Sequence, residues 1–231
     1  HAGGKFGDGG YKVSSGLHGV GSSVVNALST HLIAEVKRNG KLYRQEFKIG
    51  VPQGDIKVVG EAQGTGTTIT FWPDFSIFEK VEWDYDWVLG HLRHQAYLTK
   101  GVYAELKDER TNKGEAFYFE GGIRSYVRHL NFGKEAVHDD IFYIQKTIKE
   151  AEVEVALQYT DAYTENVLSF ANNVPNPEGG SHLTGFRTAL TRVINDYARK
   201  NGILKEKEEN LSGEDVREGM PASISLKIPD P

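Results

Sequence analysis

Hydrophobic and polar positions alternate along much of the N-terminal third of the chain, a pattern typical of β-strands. The alternating runs read LIAEVKR, KLYRQEFKI, IKVVGE and GTTITFW, at residues 32–38, 41–49, 56–61 and 66–72. Asn39 and Gly40 separate the first two runs, and this dipeptide favours the tight turn of a β-hairpin. A second hairpin is predicted where RTNKG joins VYAELKDE to EAFYFE.

Four other segments repeat apolar residues at helical spacing. They are residues 20–30, 84–99, 122–131 and about 182–200. Asp84 is a suitable N-cap for the second of these, and Gly101 follows it as a stop signal. Further strands are predicted at IFYIQKTI, EVEVALQYT, NVLSFANNV and ASISLKI. Because both halves of the chain combine strand pairs with helices, we predict an α+β fold.

The pattern changes at EGGIRSYVRHLN, where a Gly-Gly hinge precedes a short helix. We therefore predict two domains, residues 1–121 and 122–231. The acidic and polar stretch EKEENLSGEDVREG is interpreted as a connection to the last strand.

Composition limits the function classes. The chain has 231 residues, of which 39% are hydrophobic and 26% charged, the balance of an ordinary globular protein. No apolar run is long enough to cross a membrane, so we expect no membrane partner. The formal net charge is −5 and neither half has an excess of basic residues. Bulk charge therefore does not indicate a nucleic-acid binder, although a local basic face is left open.

Cysteine is absent, which excludes disulfides and cysteine-based metal sites or nucleophiles and fits the cytoplasm, where we expect this protein. The chain starts HAGGKFGDGG, with neither an initiator methionine nor a signal-peptide pattern. We expect it to be a fragment.

Glycines are concentrated at the start of the chain and around His18. Residues 1–16 contain six glycines and are predicted to form a flexible loop. Gly16, Gly19 and Gly21 then lead into the first predicted helix. This spacing fits neither a P-loop nor a dinucleotide fingerprint. Two hypotheses remain open on spacing alone: a glycine-rich flap that binds an anion at a helix N-terminus, or a loop that only caps the helix.

Longer stretches of the chain resemble a known family, and this resemblance favours the first of these two hypotheses. The stretches HAGGKFGDGGYKVSSGLHGVGSSVVNALS, TGTTITFWPD, YFEGGIRSYVRHLN, GGSHLTGFRTALTRVINDYARK and GEDVREGMPASISLKIPDP resemble, in order, the ATPase subunits of bacterial type II DNA topoisomerases, members of the GHKL superfamily. The resemblance covers nearly the whole chain. It implies that residues 1–121 are the ATP lid and the C-terminal part of a GHKL α/β sandwich. Residues 122–231 would be a transducer domain with a fold like domain 2 of ribosomal protein S5, ending before the Gln-Thr-Lys motif.

The resemblance also implies an ATP site. Its residues would be Lys5, Tyr11, Leu17, His18, Gly19, Val20, Gly21 and Thr67, with Lys12 a second candidate lysine. Backbone N–H groups from Leu17 to Gly21 would hold the triphosphate, and Tyr11 and Thr67 would lie near the adenine. Ser15 stands where the family usually has glycine.

No catalytic residue is expected inside the chain, because the family's catalytic glutamate and magnesium-binding asparagine precede the lid and its phosphate-binding lysine follows the transducer. Mg²⁺ would therefore be held outside this segment. His18 is expected to be structural rather than a general base.

Two arginines match other family sites. Arg38 corresponds to the arginine that coumarin antibiotics contact, and Arg187 to an arginine that lines the cavity through which DNA passes. Arg192, Arg199 and Lys200 are expected to be solvated charges on the same helix as Arg187. The pairs Asp84/Asp86 and Asp139/Asp140 are interpreted as helix starts and turns rather than a metal site.

The function implied by the resemblance is ATP-driven DNA strand passage. A second copy of the chain would close a clamp around duplex DNA, and a separate protein of the complex would cleave the DNA. The C-terminal stretch REGMPASISLKIPDP resembles the supercoiling enzyme of the family more than the decatenating one. Two alternatives remain: another GHKL ATPase, such as a mismatch-repair or chaperone ATPase, and a nucleotide-binding or scaffold fragment without catalysis.

Overall fold

The computed structural model describes residues 20–229 and divides them into two compact units, separated between Trp83 and Asp84. The first unit contains one helix and five strands among its described residues. They are α1 (Gly21–Ala27), β1 (Ser29–Arg38), β2 (Lys41–Lys48), β3 (Val51–Pro52), β4 (Lys57–Glu61) and β5 (Gly66–Pro73).

The strands of the first unit form one antiparallel sheet. Its order is β3-β2-β1-β5, and β4 also pairs with β2. The β1–β2 hairpin turns at Asn39 and Gly40, whose φ angles are 53° and 75°. Both angles are positive, as a two-residue turn of this kind requires, so the predicted hairpin is confirmed.

The second unit contains four helices and seven strands within its described range. They are α2 (Tyr85–Leu98), β6 (Tyr103–Asp108), β7 (Lys113–Tyr118), α3 (Ile123–Leu130), β8 (Phe142–Ile148), β9 (Ala151–Leu157), β10 (Asn166–Ala171), β11 (Val174–Pro175), α4 (Ser181–Lys200), α5 (Gly213–Arg217) and β12 (Pro221–Lys227). β6 and β7 pair with each other, and the larger sheet has the order β11-β10-β12-β9-β8. β10 and β12 are parallel, with α4 between them in sequence.

Side chains alternate between the two faces of the larger sheet, and each face has its own hydrophobic core. Ala156 and Phe170 pack with Tyr97 of α2 and Tyr126 of α3. On the other face, a second cluster contains Leu183 of α4 together with residues of β9 and β12. The sheet is therefore covered by helices on both faces, and the prediction of an α+β fold is confirmed.

Helix ends follow local capping chemistry. The carboxylate of Asp84 accepts a hydrogen bond from the Trp87 amide at 3.0 Å, which confirms the predicted N-cap of α2. α5 is a correction, because it lies in the stretch that the sequence pattern indicates to be a connection. Ser212 and Asp215 form a reciprocal capping box there, with bonds of 3.1 and 2.8 Å. The Ser-x-x-Asp spacing is the local signal for this helix.

The compact units divide at a different place from the predicted domains. Tyr97 of α2 stacks on Phe119 at a ring-centroid distance of 3.8 Å and on Tyr126 of α3 at 4.5 Å. This aromatic stack joins residues on both sides of position 121 in one unit. The division into compact units does not fall at residue 121, and a domain boundary there stays a prediction.

Candidate functional site

One face of the first sheet is apolar along the β1–β5 pair. Leu32, Ala34 and Val36 point to this face, because side chains two apart on a strand share a face. Their partners on β5 are Phe71, Ile69 and Thr67, respectively. Residues that face each other across an antiparallel pair lie on the same side, so all six side chains belong to one surface.

A cavity of about 460 Å³ lies between α1 and this face. Ser22, Ser23 and Asn26 line it from the helix, and Ile69 and Phe71 are among its sheet residues. Ile69 is 50% exposed and Phe71 37% exposed. The Oδ1 atom of Asn26 is buried and has no hydrogen-bond partner among the described residues. The cavity thus combines an apolar floor with hydroxyl and amide groups, as small-molecule sites do.

The structure brings two of the predicted site residues onto this same face. Thr67 pairs with Val36, and Arg38 follows two positions further along β1. Both side chains are exposed. The opposite face is polar: Arg44 makes ion pairs there with Glu35 and Glu46, at 3.5 and 2.9 Å.

Val20 and Gly21 lie at the N-terminus of α1. Val20 is the N-cap and makes no side-chain capping bond within the described part of the chain, and the first turn carries no acidic residue. A Cβ atom at Gly21 would have no neighbour within 4 Å among the described residues. The backbone at this position is therefore open on the side away from the rest of the described structure.

The remaining predicted residues of the ATP site lie outside the described part of the chain. They are Lys5, Tyr11, Leu17, His18 and Gly19, together with Lys12 and Ser15. Sequence reasoning does not predict Ser22, Asn26 or Ile69. Their signal is spacing, because Ser22 and Asn26 share a helix face and Ile69 lies two residues beyond Thr67 on the same strand face.

Arg187 is held by a carboxylate. Its Nε and Nη2 atoms donate to Oε1 of Glu165 at 2.8 and 2.7 Å, and Nε of Arg217 donates to Oε2 at 3.0 Å. Whether Arg187 contacts DNA stays a prediction.

Arg199 is exposed, as expected of a solvated helix charge, and its guanidinium also donates to Asn210 Oδ1 and to the backbone oxygens of Lys205 and Glu208, at 2.8, 3.0 and 2.7 Å. It fixes the segment after α4, because one planar guanidinium can satisfy several acceptors at once.

Two titratable groups of the second unit have shifted pKa values without forming a metal site. The hydroxyl of Ser169 and Nε2 of His182 are 2.6 Å apart, and burial lowers the pKa of His182. A hydrogen bond from Arg110 lowers the pKa of Asp108 to about 2. Across residues 20–229, no three His, Asp or Glu side chains are grouped so as to hold a metal ion. No described helix is both long and apolar enough to span a membrane.

The two units together have the architecture of a GHKL-type ATPase region. The first is a sheet with a short helix over its apolar face, and the second is an α+β unit with a parallel β10-α4-β12 crossover. Solved structures support this class. The 43K ATPase domain of Thermus thermophilus gyrase B in complex with an aminocoumarin has a TM-score of 0.84 and 40% identity, covering 93% of this chain and 59% of that one. The topoisomerase IV ATP-binding domain of Francisella tularensis has a TM-score of 0.73 and 26% identity, covering 96% of this chain and 59% of its own.

Sequence comparison identifies the particular family. Residues 122–231 match the family described as DNA gyrase B. The DNA gyrase B protein of Halalkalibacterium halodurans is 54% identical over the whole chain, and that of Clostridium acetobutylicum 52%. This chain belongs to the DNA gyrase B family, in agreement with the family member that its C-terminal sequence favours. It spans 37% and 36% of the length of these two relatives.

Proposed function

We propose that this chain is part of the ATPase subunit of a DNA gyrase, an ATP-dependent type II DNA topoisomerase. ATP binding closes a clamp that two copies of the protein form around duplex DNA, and hydrolysis resets it. The gyrase A protein cleaves the DNA, and the complex works in the cytoplasm. Residues 122–231 act as the transducer between the ATP site and the DNA. Membership of the gyrase B family carries this proposal, together with the shared sheet face that holds Thr67.

The apolar sheet face is the adenine side of the proposed ATP site. Ile69 and Phe71 supply apolar surface for a purine, Phe71 through a planar ring, and Thr67 supplies a hydroxyl for a hydrogen bond to the purine edge, directly or through a water. Val20 and Gly21 present open backbone at the phosphate side. Lys5, Tyr11, Leu17, His18 and Gly19 complete this side by family resemblance, with the lysine offsetting phosphate charge.

The described residues of this site fit ATP better than they fit Mg²⁺. Among these residues, no carboxylate lines the cavity beneath α1, and Mg²⁺ prefers carboxylate and phosphate oxygens. The metal would therefore be held by the triphosphate and by protein groups other than these, while the cavity residues bind the base and exclude water from it.

Thr67 provides the test, since Thr68 is its matched control. Both are exposed threonines of β5, and Thr68 pairs with Glu35 on the polar face. In the full-length protein, Thr67→Ala should weaken ATP binding about tenfold, the loss of one hydrogen bond to the ligand. Thr68→Ala should bind ATP like the unmodified protein. Affinity is measured by titration calorimetry, and turnover by phosphate release.

The outcomes separate the candidate functions. Equal ATP affinity in the two variants would show that the adenine lies elsewhere. ATP binding without DNA-stimulated hydrolysis would favour the alternative of a nucleotide-binding protein that does not catalyse.

A further inference from the structure

Two half-buried histidines contact neighbouring residues of β10 from opposite faces of the larger sheet. The ring of His94 on α2 lies edge to face with the ring of Phe170, and their centroids are 6.4 Å apart. On the other face, Nε2 of His182 on α4 lies 2.6 Å from the hydroxyl of Ser169. Ser169 and Phe170 are both buried, and consecutive residues of a strand point to opposite faces. One histidine therefore packs on each side of the same strand.

The surroundings of His94 oppose a positive charge. Its ring centroid is 5.6 Å from that of Tyr126 on α3. The charged or titratable neighbours that act on it are all basic: His91 and Arg93 on its own helix and His129 on α3. Burial, followed by these like charges, lowers the pKa of His94 below its ordinary value of 6.5. The packed structure therefore holds this ring neutral.

The ring of His182 is enclosed at the start of α4. A Cβ atom at Gly180 would lie 3.2 Å from both Cε1 and Nδ1 of this ring, so the ring lies against the backbone just before the helix. On the sheet side its partner is the uncharged hydroxyl of Ser169. Burial lowers the pKa of His182, and none of the described charged groups on α4 or on the sheet offsets this. The N-terminal end of a helix also disfavours a positive charge.

The turn after β10 connects this strand to two other elements. Nε2 of Gln95, the residue after His94 on α2, donates to the backbone oxygen of Asn173 at 3.0 Å. The side-chain amide of Asn172 makes two bonds of 2.9 Å with the backbone oxygen and N–H of Ile228, just after β12. A displacement of β10 would therefore also loosen its connections to α2 and to the end of β12.

We propose that His94 and His182 form a two-proton switch that loosens β10 from the helices on both of its faces when the pH falls. Each ring is neutral while its helix packs on the sheet, because burial penalises the charged form. It binds a proton readily only when the helix moves away and water reaches the ring. Acid therefore favours the open state on both faces at once. This inference goes beyond the proposed function and does not depend on it, because it concerns only contacts within the second unit.

The direction and steepness of the pH dependence follow from proton linkage. The folded pKa is the lower one for both rings, so their packing is fully stable above the ordinary value of 6.5 and loses stability as the pH falls below it. The slope equals the number of protons that the open state binds and the packed state does not. Two rings predict up to about a hundredfold increase of the opening equilibrium per pH unit, and one ring predicts about tenfold.

The experiment follows amide hydrogen exchange of the full-length protein by mass spectrometry, from about pH 7.5 to about pH 5. Protection is expressed relative to the intrinsic exchange rate at each pH, so that it reports the opening equilibrium. Peptides from β10, the C-terminal half of α2 and the start of α4 should lose protection together below pH 6.5, with a slope approaching about two decades per pH unit. Protection of β10 that does not change with pH would overturn the proposal.

Single substitutions separate the contributions of the two rings. His94→Gln and His182→Gln each remove one titrating ring and should lower the slope from about two to about one, and the double variant should lower it to about zero. His91→Gln is the control, because His91 is an exposed histidine of α2 whose ring stacks on Trp87 of the same helix. It leaves both rings on β10 in place, so the slope should stay at about two.

Two further variants guard against misfolding and test the hydrogen bond. If His94→Gln is unfolded at neutral pH by circular dichroism, His94→Phe replaces it, because a phenyl ring keeps the contacts with Tyr126 and Phe170. It should show the same slope of about one. Ser169→Ala removes the partner of His182 but no titrating group, so it should lower protection at every pH and leave the slope unchanged.

Three results would contradict the switch. A slope of about two in the double variant would place the proton uptake in other groups. A slope that only one of the two single variants lowers would show that the two faces of β10 do not open together. Protection that rises in acid would show that attraction between a protonated His94 and the ring of Tyr126 outweighs the penalty of burial.

Discussion

The side chain of Lys100 lies directly across the backbone of Gly122. A Cβ atom at Gly122 would be 2.6 Å from both Cγ and Cε of Lys100, and Gly122 has a φ of +54°. Beyond this crossing, the Lys100 ammonium reaches Glu154 Oε2 at 2.8 Å. The start of α3 and a partly buried ion pair therefore both require that residue 122 has no side chain.

Gly122→Ala should lower the free energy of unfolding by about 2–3 kcal/mol, through both left-handed strain and displacement of Lys100. Gly133→Ala is the control, because Gly133 has a φ of +77° and no described atom within 4 Å of its Cβ position. It should cost only the strain, about 1 kcal/mol. Chemical denaturation measures both, and equal losses would show that Lys100 moves aside freely.

Glu154→Gln should destabilise the second unit by about 2 kcal/mol, since it leaves two lysines facing a neutral side chain. Lys227 also pairs with Glu154, at 3.5 Å. Burial raises the pKa of Glu154, but hydrogen bonds from Lys100 and Tyr143 lower it further, so the group is charged. The cost is below that of a fully buried pair because Lys100 is 38% exposed. Glu152→Gln, at a more exposed carboxylate, should cost less than half as much in the same denaturation experiment.

Asp108 should make the β6–β7 hairpin sensitive to acid. The hydrogen-bonded Arg110 lowers the pKa of Asp108 from 3.8 to about 2. Because the folded pKa is the lower one, the pairing stabilises the hairpin fully above pH 3.8 and loses its effect as pH falls toward about 2. The amides of β6 and β7 should lose protection against hydrogen exchange over this range, relative to the intrinsic exchange rate at each pH. Asp108→Asn should exchange faster at neutral pH and lose this step; a persistent step would place the titration in another group.

Arg38 should govern aminocoumarin binding, on the proposal that it occupies the family's coumarin-contacting position. With the full-length protein, Arg38→Gln should weaken binding of an aminocoumarin about tenfold, the usual cost of losing a charged hydrogen bond. Lys37→Gln is its neighbour on the opposite sheet face and should leave the affinity unchanged. Calorimetric titration measures the aminocoumarin affinity of both variants. An equal loss of affinity in the two would show that Arg38 acts only through its charge and not through a direct contact.

Most elements are predictable because their signals are local. The alternation in β1, β2 and β5, the Asn39-Gly40 turn and the Asp84 cap each act within a few residues. β3 and β11 escape prediction, because two-residue strands contain less than one period of alternation. Pairing at a distance is equally hidden: nothing near Glu165 or Arg217 in sequence indicates that they meet, since that contact depends on how α4 crosses the sheet.

The candidate site, too, is predictable from the sequence only in part. Thr67 and Arg38 can be proposed from family resemblance, but their common face follows only from the β1–β5 register. The hydrogen bonds of Arg199 could not be predicted, because a charge at the end of a helix has the same sequence pattern whether or not it also binds a following segment.

The parallel pairing of β10 with β12 has a consequence for biosynthesis. β12 lies at the centre of its sheet, between β10 and β9, and it contributes Ala222, Ser223 and Ile224 to the interior. It is also the last described strand of the unit to leave the ribosome. The sheet therefore cannot form between β9 and β10 until α4 and β12 have been made. Pairing between strands far apart in sequence is slow. In the nascent chain, the edges of β9 and β10 therefore stay unpaired until residue 227 has been made.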